Sequence, residues 1–406
     1  MKVLQINAVY GMSSTGRTVA EIDEQLKKDE IASIVATTQT TINRKDIYIV
    51  GNKLGRKFHA LFSRITGRQA YFSFCATKKL IKWIKKEKPD VIHLRNLHAN
   101  YIHLRLLLKY IRKNNIATVI TLHDCWFFTG KCTHYTEQAC YKWIDGCCSC
   151  PQLKKDNKSW FFDCTKSIWK DKKKWLQAIP NLAVIGVSDW ITEQARNSFL
   201  KTAKILKRIY NWIDLGVFYP QEESVLKKYN LPENKFLILC IGAGWTTDSI
   251  KYKDLLQLAK LAREDEAIVL AGALPKDVFL PENVLPIGYV NSTQELAKLY
   301  SSVNVYVHLS REDTFGKVIA EALASGTPSI VYDATACPEL IGERCGYIVE
   351  KGDISGIIDA IDKIKVNGKD YYSSHCVDFA RKNFEKEALI EEMKEVYYRL
   401  LEGNKK

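Results

Sequence analysis

The sequence predicts an α/β protein of two domains, each a parallel sheet doubly wound with helices, and three observations predict it. The chain has 406 residues, more than one hydrophobic core usually serves. Short Val, Ile and Leu runs alternate with segments of helical period, the pattern of parallel strands covered on both faces. That alternation stops at a polar stretch, residues 220–223, and then starts again. With 46% of residues hydrophobic, 26% charged, 10 Pro and 21 Gly, the composition excludes a largely disordered or low-complexity chain.

In the first half, residues 2–8 form a strand that enters a turn holding Gly11 and Gly16. Val19, Ile22 and Leu26 then recur at helical spacing. Residues 31–38, 90–94, 118–123 and 184–188 are further strands, with helical pattern at 80–88 and 104–113. The second half opens on the apolar run 236–244, which ends in glycines. Strands follow at 267–272, 284–288, 303–309 and 328–332, separated by helical segments such as 255–263 and 293–300. The expected domains are therefore residues 1–208 and 209–384. An amphipathic helix at about 385–401 follows, whose own pattern leaves open whether it packs back on the first domain. Open parallel sheets bind ligands beyond the carboxyl ends of their strands, and where two such domains face each other the cleft between them is the expected site.

No stretch approaches the roughly eighteen apolar residues of a membrane-spanning helix, and the opening residues read as a first strand rather than a signal peptide. A cytoplasmic chain that crosses no bilayer is expected. Twelve Cys in such a chain read as thiols or metal ligands, and half of them lie in residues 125–150. Cys132, Cys140, Cys147 and Cys150, spaced by seven, six and two residues, offer a structural zinc site, with His134 and Cys148 as spare ligands. The alternative is a loop of reduced thiols packing as small hydrophobes. The net charge of +14 draws the protein toward anions: nucleic acid, anionic lipid or phosphorylated ligands.

The most informative segment is residues 310–328, SREDTFGKVIAEALASGTP. A strand ends, Glu312 and Asp313 occupy the turn, Gly316 allows close backbone approach, and a helix begins whose N-terminus carries about half a positive charge. That is a phosphate cradle, to which Thr314 and Phe315 contribute backbone. Eight positions after Asp313, Glu321 lies about two turns into the helix, placed to hydrogen-bond a diol. A nucleotide sugar fits, its diphosphate at the helix dipole, ribose at Glu321 and hexose at Asp313.

This segment resembles the signature of retaining glycosyltransferases of family 4, which have the GT-B fold of two facing Rossmann-like domains. The Gly11–Gly16 turn, the strand end at Thr121, Leu122, His123 and Asp124, the seam at 211–214, the Gly272 and Gly288 turns and the turn at 336–339 occur in the family's order, so the resemblance covers nearly the whole chain. Within the family, residues 125–130 and the Cys-rich run look most like transferases that build bacterial capsule, exopolysaccharide or O-antigen chains.

The resemblance implies that Glu321 holds the ribose and that Asp313, where the family usually has Glu, contacts the hexose, with Glu312 beside it as the other candidate. It implies that His123 approaches the sugar and the leaving diphosphate. Lys251 stands near the family's phosphate-binding basic position, although Tyr252 replaces the usual Gly and no Arg precedes it. Gly11, Gly16, Gly242 and Gly288 complete the implied donor contacts. The implied donor is a UDP- or GDP-sugar, with no catalytic metal. The implied acceptor is a saccharide or lipid-linked saccharide.

Residues 53–88 hold eleven Lys or Arg against the single acid Glu87, interleaved with Phe58, Leu61, Phe62, Tyr71 and Phe72. Residues 151–178 mix eight Lys with Trp160, Phe161, Phe162, Trp169 and Trp175. This mixture suits an anionic membrane surface, giving peripheral contact at the inner face of the plasma membrane. Solvated charged faces are the plainer reading of either run. His93 and His98 read as satisfied core histidines. Three other functions are open: a polyanion- or nucleic-acid-binding protein, although no such module is present, and a GT-B phosphorylase or epimerase.

Overall fold

The computed structural model describes residues 1–276 and 278–402. The chain forms two compact units, Met1–Ile209 together with Ile390–Lys406, and Tyr210–Leu389. In the first unit the strands are β1 (Lys2–Ile6), β2 (Val9–Tyr10), β3 (Ala32–Thr37), β4 (Gln39–Thr40), β5 (Ile47–Ile49), β6 (Val91–Leu94), β7 (Ala117–Leu122), β8 (Leu182–Gly186) and β9 (Ile205–Arg208). Its helices are α1 (Ser13–Lys28), α2 (Lys53–Thr66), α3 (Phe74–Glu87), α4 (Leu104–Lys113), α5 (Thr165–Gln177) and α6 (Asp189–Asn197). The second unit has β10 (Phe236–Gly244), β11 (Glu266–Ala273), β12 (Val284–Gly288), β13 (Val305–His308), β14 (Ser329–Tyr332) and β15 (Gly346–Val349). Its helices are α7 (Ile250–Leu261), α8 (Thr293–Ser302), α9 (Lys317–Ala324), α10 (Ile354–Asn367) and α11 (Asp370–Phe384); α12 (Lys386–Glu402) starts in this unit and its body belongs to the first.

The two sheets repeat one plan. The first runs β5-β3-β1-β6-β7-β8-β9 and the second β12-β11-β10-β13-β14-β15, all pairings parallel. In each sheet the earliest long strand sits inside and the order reverses beside it, between β1 and β6 and between β10 and β13. Helices after these strands run to opposite faces, so their connections part and leave a crevice at that point. Burial follows from the double covering: every residue of β7 and of β8 is buried, which is why these strands read as continuous apolar runs. Fully burying each Val, Ile or Leu of such a strand contributes about 1.5–3 kcal/mol.

Helix starts are fixed locally. Ser188, Ser249 and Ser292 accept from the backbone N–H groups of Ile191, Tyr252 and Glu295, satisfying first-turn donors of α6, α7 and α8. Helix α12 is tied into the first unit by side chains rather than by propensity. Tyr397 Oη lies 2.7 Å from His93 Nδ1, and Lys394 bonds Asp29 at 2.7 Å. Among the described residues no helix is long and apolar enough to cross a membrane.

Candidate active site

The second unit gathers the donor-site candidates at its strand-order reversal. At the end of β10, Gly242 has no side chain because Lys251, the second residue of α7, fills that space: a Cβ on Gly242 would collide with Lys251 Nζ. The ammonium lies 4.2 Å from the Trp245 ring centroid, and Trp245 is fixed by donating Nε1–H to the Ala271 carbonyl at 3.1 Å. Burial lowers the Lys251 pKa, while the nearby Cys240 thiol and Asp313 carboxylate act in the opposite direction. Gly272, at φ +132°, is required where β11 presses against the Gly242 carbonyl.

Across the reversal, the loop after β13 leads into α9. Gly316 takes φ +87° as the residue before the helix, and a Cβ there would meet Ile319 Cδ1 at 2.7 Å. The Asp313 carboxylate turns back on this loop: Oδ1 accepts from the N–H groups of Gly316 at 3.0 Å and Phe315 at 3.3 Å. Its Oδ2 stands 3.5 Å from His308 Nε2, and its own N–H donates to Thr335 Oγ1 at 2.9 Å. Asp313 therefore caps the two amides that precede α9, while among the described residues no side chain caps the first-turn amides of the helix itself. Glu312 is half-buried, and its carbonyl accepts from Ser310 Oγ at 2.9 Å. Thr314 is buried. The Phe315 side chain is 2% exposed and packs on Tyr210 and Phe384, so it anchors the loop whose backbone is the expected donor contact. Glu321 is buried in α9, and with burial itself its carboxylate holds the Tyr300 phenol well above its ordinary pKa. Gly288 ends β12 at φ +74°, open around the missing Cβ.

Sequence reasoning missed the clamp that sets this loop. Arg311 donates Nε–H and Nη2–H to the two Asp254 oxygens at 2.9 and 2.7 Å, and Tyr332 Oη donates to the same carboxylate at 3.0 Å. This fork ties the loop after β13 to α7, the helix that carries Lys251. The signal was an Arg directly before the acidic pair and an Asp three residues after Lys251, each legible only once the fold joins them.

In the first unit Gly11 takes φ +73° and donates N–H to the Gly16 carbonyl at 2.9 Å. Gly16 serves packing: a Cβ would stand 2.9 Å from Val9 Cγ2. Asn7, fully buried, bridges the two loops flanking the reversal, donating to the Val9 carbonyl at 2.8 Å and accepting from Asn96 N–H at 3.2 Å. His123 follows β7 and is held neutral, its pKa pushed down to about 3 by burial and then by Arg95, with Asp124 opposing. Arg95, which sequence reasoning passed over, is fully buried with neutral partners: Gln5 Oε1 at 2.8 Å and His93 Nδ1 at 3.2 Å. Burial depresses its pKa to about 10. His93 is fully buried, its Nε2 2.6 Å from Thr121 Oγ1. His98 pairs with Asp124 at 2.9 Å. Burial acts to lower the His98 pKa, but Asp124 outweighs it and the net shift is upward.

The cysteine loop departs from expectation. Among the described residues no group of three or more His, Cys, Asp or Glu side chains is placed to hold a metal ion, so Cys132, Cys140, Cys147 and Cys150 do not form the zinc site their spacing offers. The thiols are engaged otherwise. Cys132 and Cys150 share a hydrogen bond that raises the first thiol and lowers the second. Cys147 Sγ accepts from Gly130 N–H at 3.1 Å, the spare His134 gives its carbonyl to Gln152, and Cys148 is exposed.

Comparison with known proteins places this geometry in a family. The profile described as Glycosyltransferase Family 4 matches residues 15–217, and that described as Glycosyl transferases group 1 matches residues 221–383. An uncharacterized 41.2 kDa protein in the cps region of Klebsiella pneumoniae is 26% identical, covering 94% of this chain and 96% of that one. N-acetyl-alpha-D-glucosaminyl L-malate synthase of Bacillus anthracis is 26% identical over 52% of this chain and 58% of its own length. The putative colanic acid biosynthesis glycosyl transferase WcaC of Escherichia coli is 23% identical over 66% of each chain. Among solved structures, sucrose-phosphate synthase of Thermosynechococcus elongatus has a TM-score of 0.70 at 17% identity, covering 99% of both chains. HepE of Anabaena, solved in complex with UDP, has a TM-score of 0.66 at 14% identity, covering 98% of this chain and 100% of that one. These likenesses show the GT-B fold.

Proposed function

The chain belongs to the glycosyltransferases of family 4 and group 1, and from that premise we propose that it moves a hexose from a UDP- or GDP-sugar to a saccharide or lipid-linked acceptor. The transfer retains anomeric configuration and serves capsule, exopolysaccharide or O-antigen assembly. One observation carries the reading. Gly242 with Lys251, and the 309–316 loop with α9, flank the strand-order reversal of the second sheet, where parallel sheets bind nucleotides. Relatives support it in kind, being named for colanic acid biosynthesis and GDP-mannose-dependent mannosyl transfer, or solved with UDP.

In this reading the diphosphate lies against Lys251 and the amides that open α9, Glu321 holds the ribose, and the hexose lies at the Glu312–Asp313 turn. The bond from the anomeric carbon to the diphosphate oxygen breaks as the acceptor oxygen bonds to that carbon from the same face, and the acceptor proton passes to the leaving diphosphate. The protein supplies position and a cation already in place where negative charge develops. Because Asp313 caps the loop amides, donor binding draws its carboxylate off Gly316 N–H. The acceptor lies at the carboxyl edge of the first sheet, where His123, neutral at physiological pH, accepts or donates a hydrogen bond without adding charge.

We further propose that the protein works in the cytoplasm, peripherally on the inner face of the plasma membrane. On α2, Leu54, Phe58, Leu61 and Phe62 are exposed on one stripe flanked by Lys53, Lys57 and Arg64, the pattern of an interfacial helix.

A thermal-shift panel tests the reading. A nucleoside diphosphate at about 100 times its Kd stabilises by about 2.7 kcal/mol, so UDP or GDP raises the melting temperature and DNA or RNA does not. Stabilisation by nucleic acid alone contradicts the proposal and favours the polyanion-binding alternative.

A further inference from the structure

The first unit has a concavity between α4 and α5. Its volume is about 480 Å³, and five cations line it: Arg68, Arg105, Lys109, Arg112 and Lys174. Among the described residues none of the five has a carboxylate within ion-pairing distance. Asp171, the one acid in the lining, accepts the Tyr71 hydroxyl at 2.6 Å. Tyr71 and Trp175 pack at 5.6 Å between centroids, and the Arg68 guanidinium sits 5.4 Å above Tyr71, so part of the wall is fixed and apolar.

Arg105, Lys109 and Arg112 fall four and three residues apart on one stripe of α4. Like charges at that spacing repel along the helix, and Lys174 of α5 adds to the repulsion. A ligand with two or more negative charges turns the same arrangement favourable, and guanidinium forks match phosphate oxygens.

The concavity adjoins an apolar rim. Arg68 directly follows Gly67, the residue that ends α2, and a Cβ on Gly67 would collide with the Phe162 carbonyl. Trp160 N–H donates to the Arg64 carbonyl at 2.6 Å. The segment that lies on this corner presents Phe161 at 69% and Phe162 at 59% exposure.

We infer that this concavity binds the phosphate or diphosphate head of an amphiphile whose apolar part rests on Phe161, Phe162 and the α2 stripe. The inference deepens the proposed membrane contact by naming the chemistry that holds it, and it stands apart from the donor site in the second unit.

The test titrates inorganic pyrophosphate into the full chain and into Arg105→Glu/Arg112→Glu and Lys251→Ala variants. It also sediments the protein with phosphatidylcholine vesicles with and without phosphatidic acid. The inference expects pyrophosphate affinity to fall at least tenfold in Arg105→Glu/Arg112→Glu and to persist in Lys251→Ala. It expects sedimentation to need phosphatidic acid and to be lost in Phe161→Ser/Phe162→Ser, which keeps its pyrophosphate affinity. All substituted side chains except Lys251 are exposed, and an unchanged melting temperature confirms folding. Pyrophosphate affinity that falls only in Lys251→Ala overturns the inference, as does equal affinity in all three proteins. Pyrophosphate binding without phosphatidic-acid-dependent sedimentation assigns the concavity to a free phosphate and overturns the amphiphile.

Discussion

The two sheets share one strand plan, yet their reversal points are built from opposite electrostatics. In the second unit, acids and bases meet in defined pairs: Arg311 forks onto Asp254, and Asp313 caps the amides before α9. In the first unit a buried guanidinium, Arg95, sits among the neutral partners Gln5 and His93 and adds to the burial that depresses the pKa of His123. Fold alone therefore does not dictate what an edge binds. The edge of the second unit suits an anionic ligand, and the edge of the first, where His123 is held neutral, suits hydroxyl groups.

The sharpest way to break this contrast is to remove the clamp in the second unit. Asp254→Ala leaves Arg311 and the Tyr332 hydroxyl without their shared acceptor. Breaking a buried pair costs about 3–5 kcal/mol, so denaturant unfolding should show that loss with the second unit melting first. Next come Lys251→Ala and Glu321→Ala. Each should lower kcat by about a hundred- to a thousandfold, or 2.7–4 kcal/mol, as expected for one preorganised electrostatic group; wild-type turnover in both would refute their assignment. Gly316→Ala should cost about 1–2 kcal/mol through its left-handed backbone and weaken nucleotide binding with it.

A pH series tests the first unit. The pKa of His123 is about 3 in the folded chain against 6.5 as the ordinary value, so between those pH values the unfolded chain binds more protons. Stability is then lost as pH falls from 6.5 toward 3, by at most about 1.4 kcal/mol per pH unit from this group. His123→Gln should flatten that slope in unfolding experiments at pH 4 to 6.5, and an unchanged slope contradicts the burial argument.

Much of this fold was legible because fully buried parallel strands announce themselves. The apolar runs at 236–244 and 284–288 and the helical pattern at 104–113 coincide with β10, β12 and α4. Shorter or half-exposed elements were not legible. Strand β5 has three residues, β9 reads Ile-Leu-Lys-Arg with every residue only half-buried, and α2 turns its apolar stripe outward. The helices α5, α6, α10 and α11 were likewise passed over. At the site, glycines and acids were visible in sequence because turns and helix ends demand those residue types. Arg311 with Asp254, and Arg95 with Gln5, were invisible because their meaning is pairwise, across 57 and 90 residues. The cysteines show the converse: spacing suggested a metal, and the loop placed the thiols against one another and against backbone N–H groups instead.

A crystal structure of the full chain grown with UDP or GDP tests the central claim most directly. The account predicts the diphosphate within hydrogen-bonding distance of Lys251 Nζ and of the amides that open α9, the ribose on Glu321, and Asp313 withdrawn from Gly316 N–H. A nucleotide bound elsewhere, with the Asp313 cap intact and Lys251 still resting on Trp245, contradicts it.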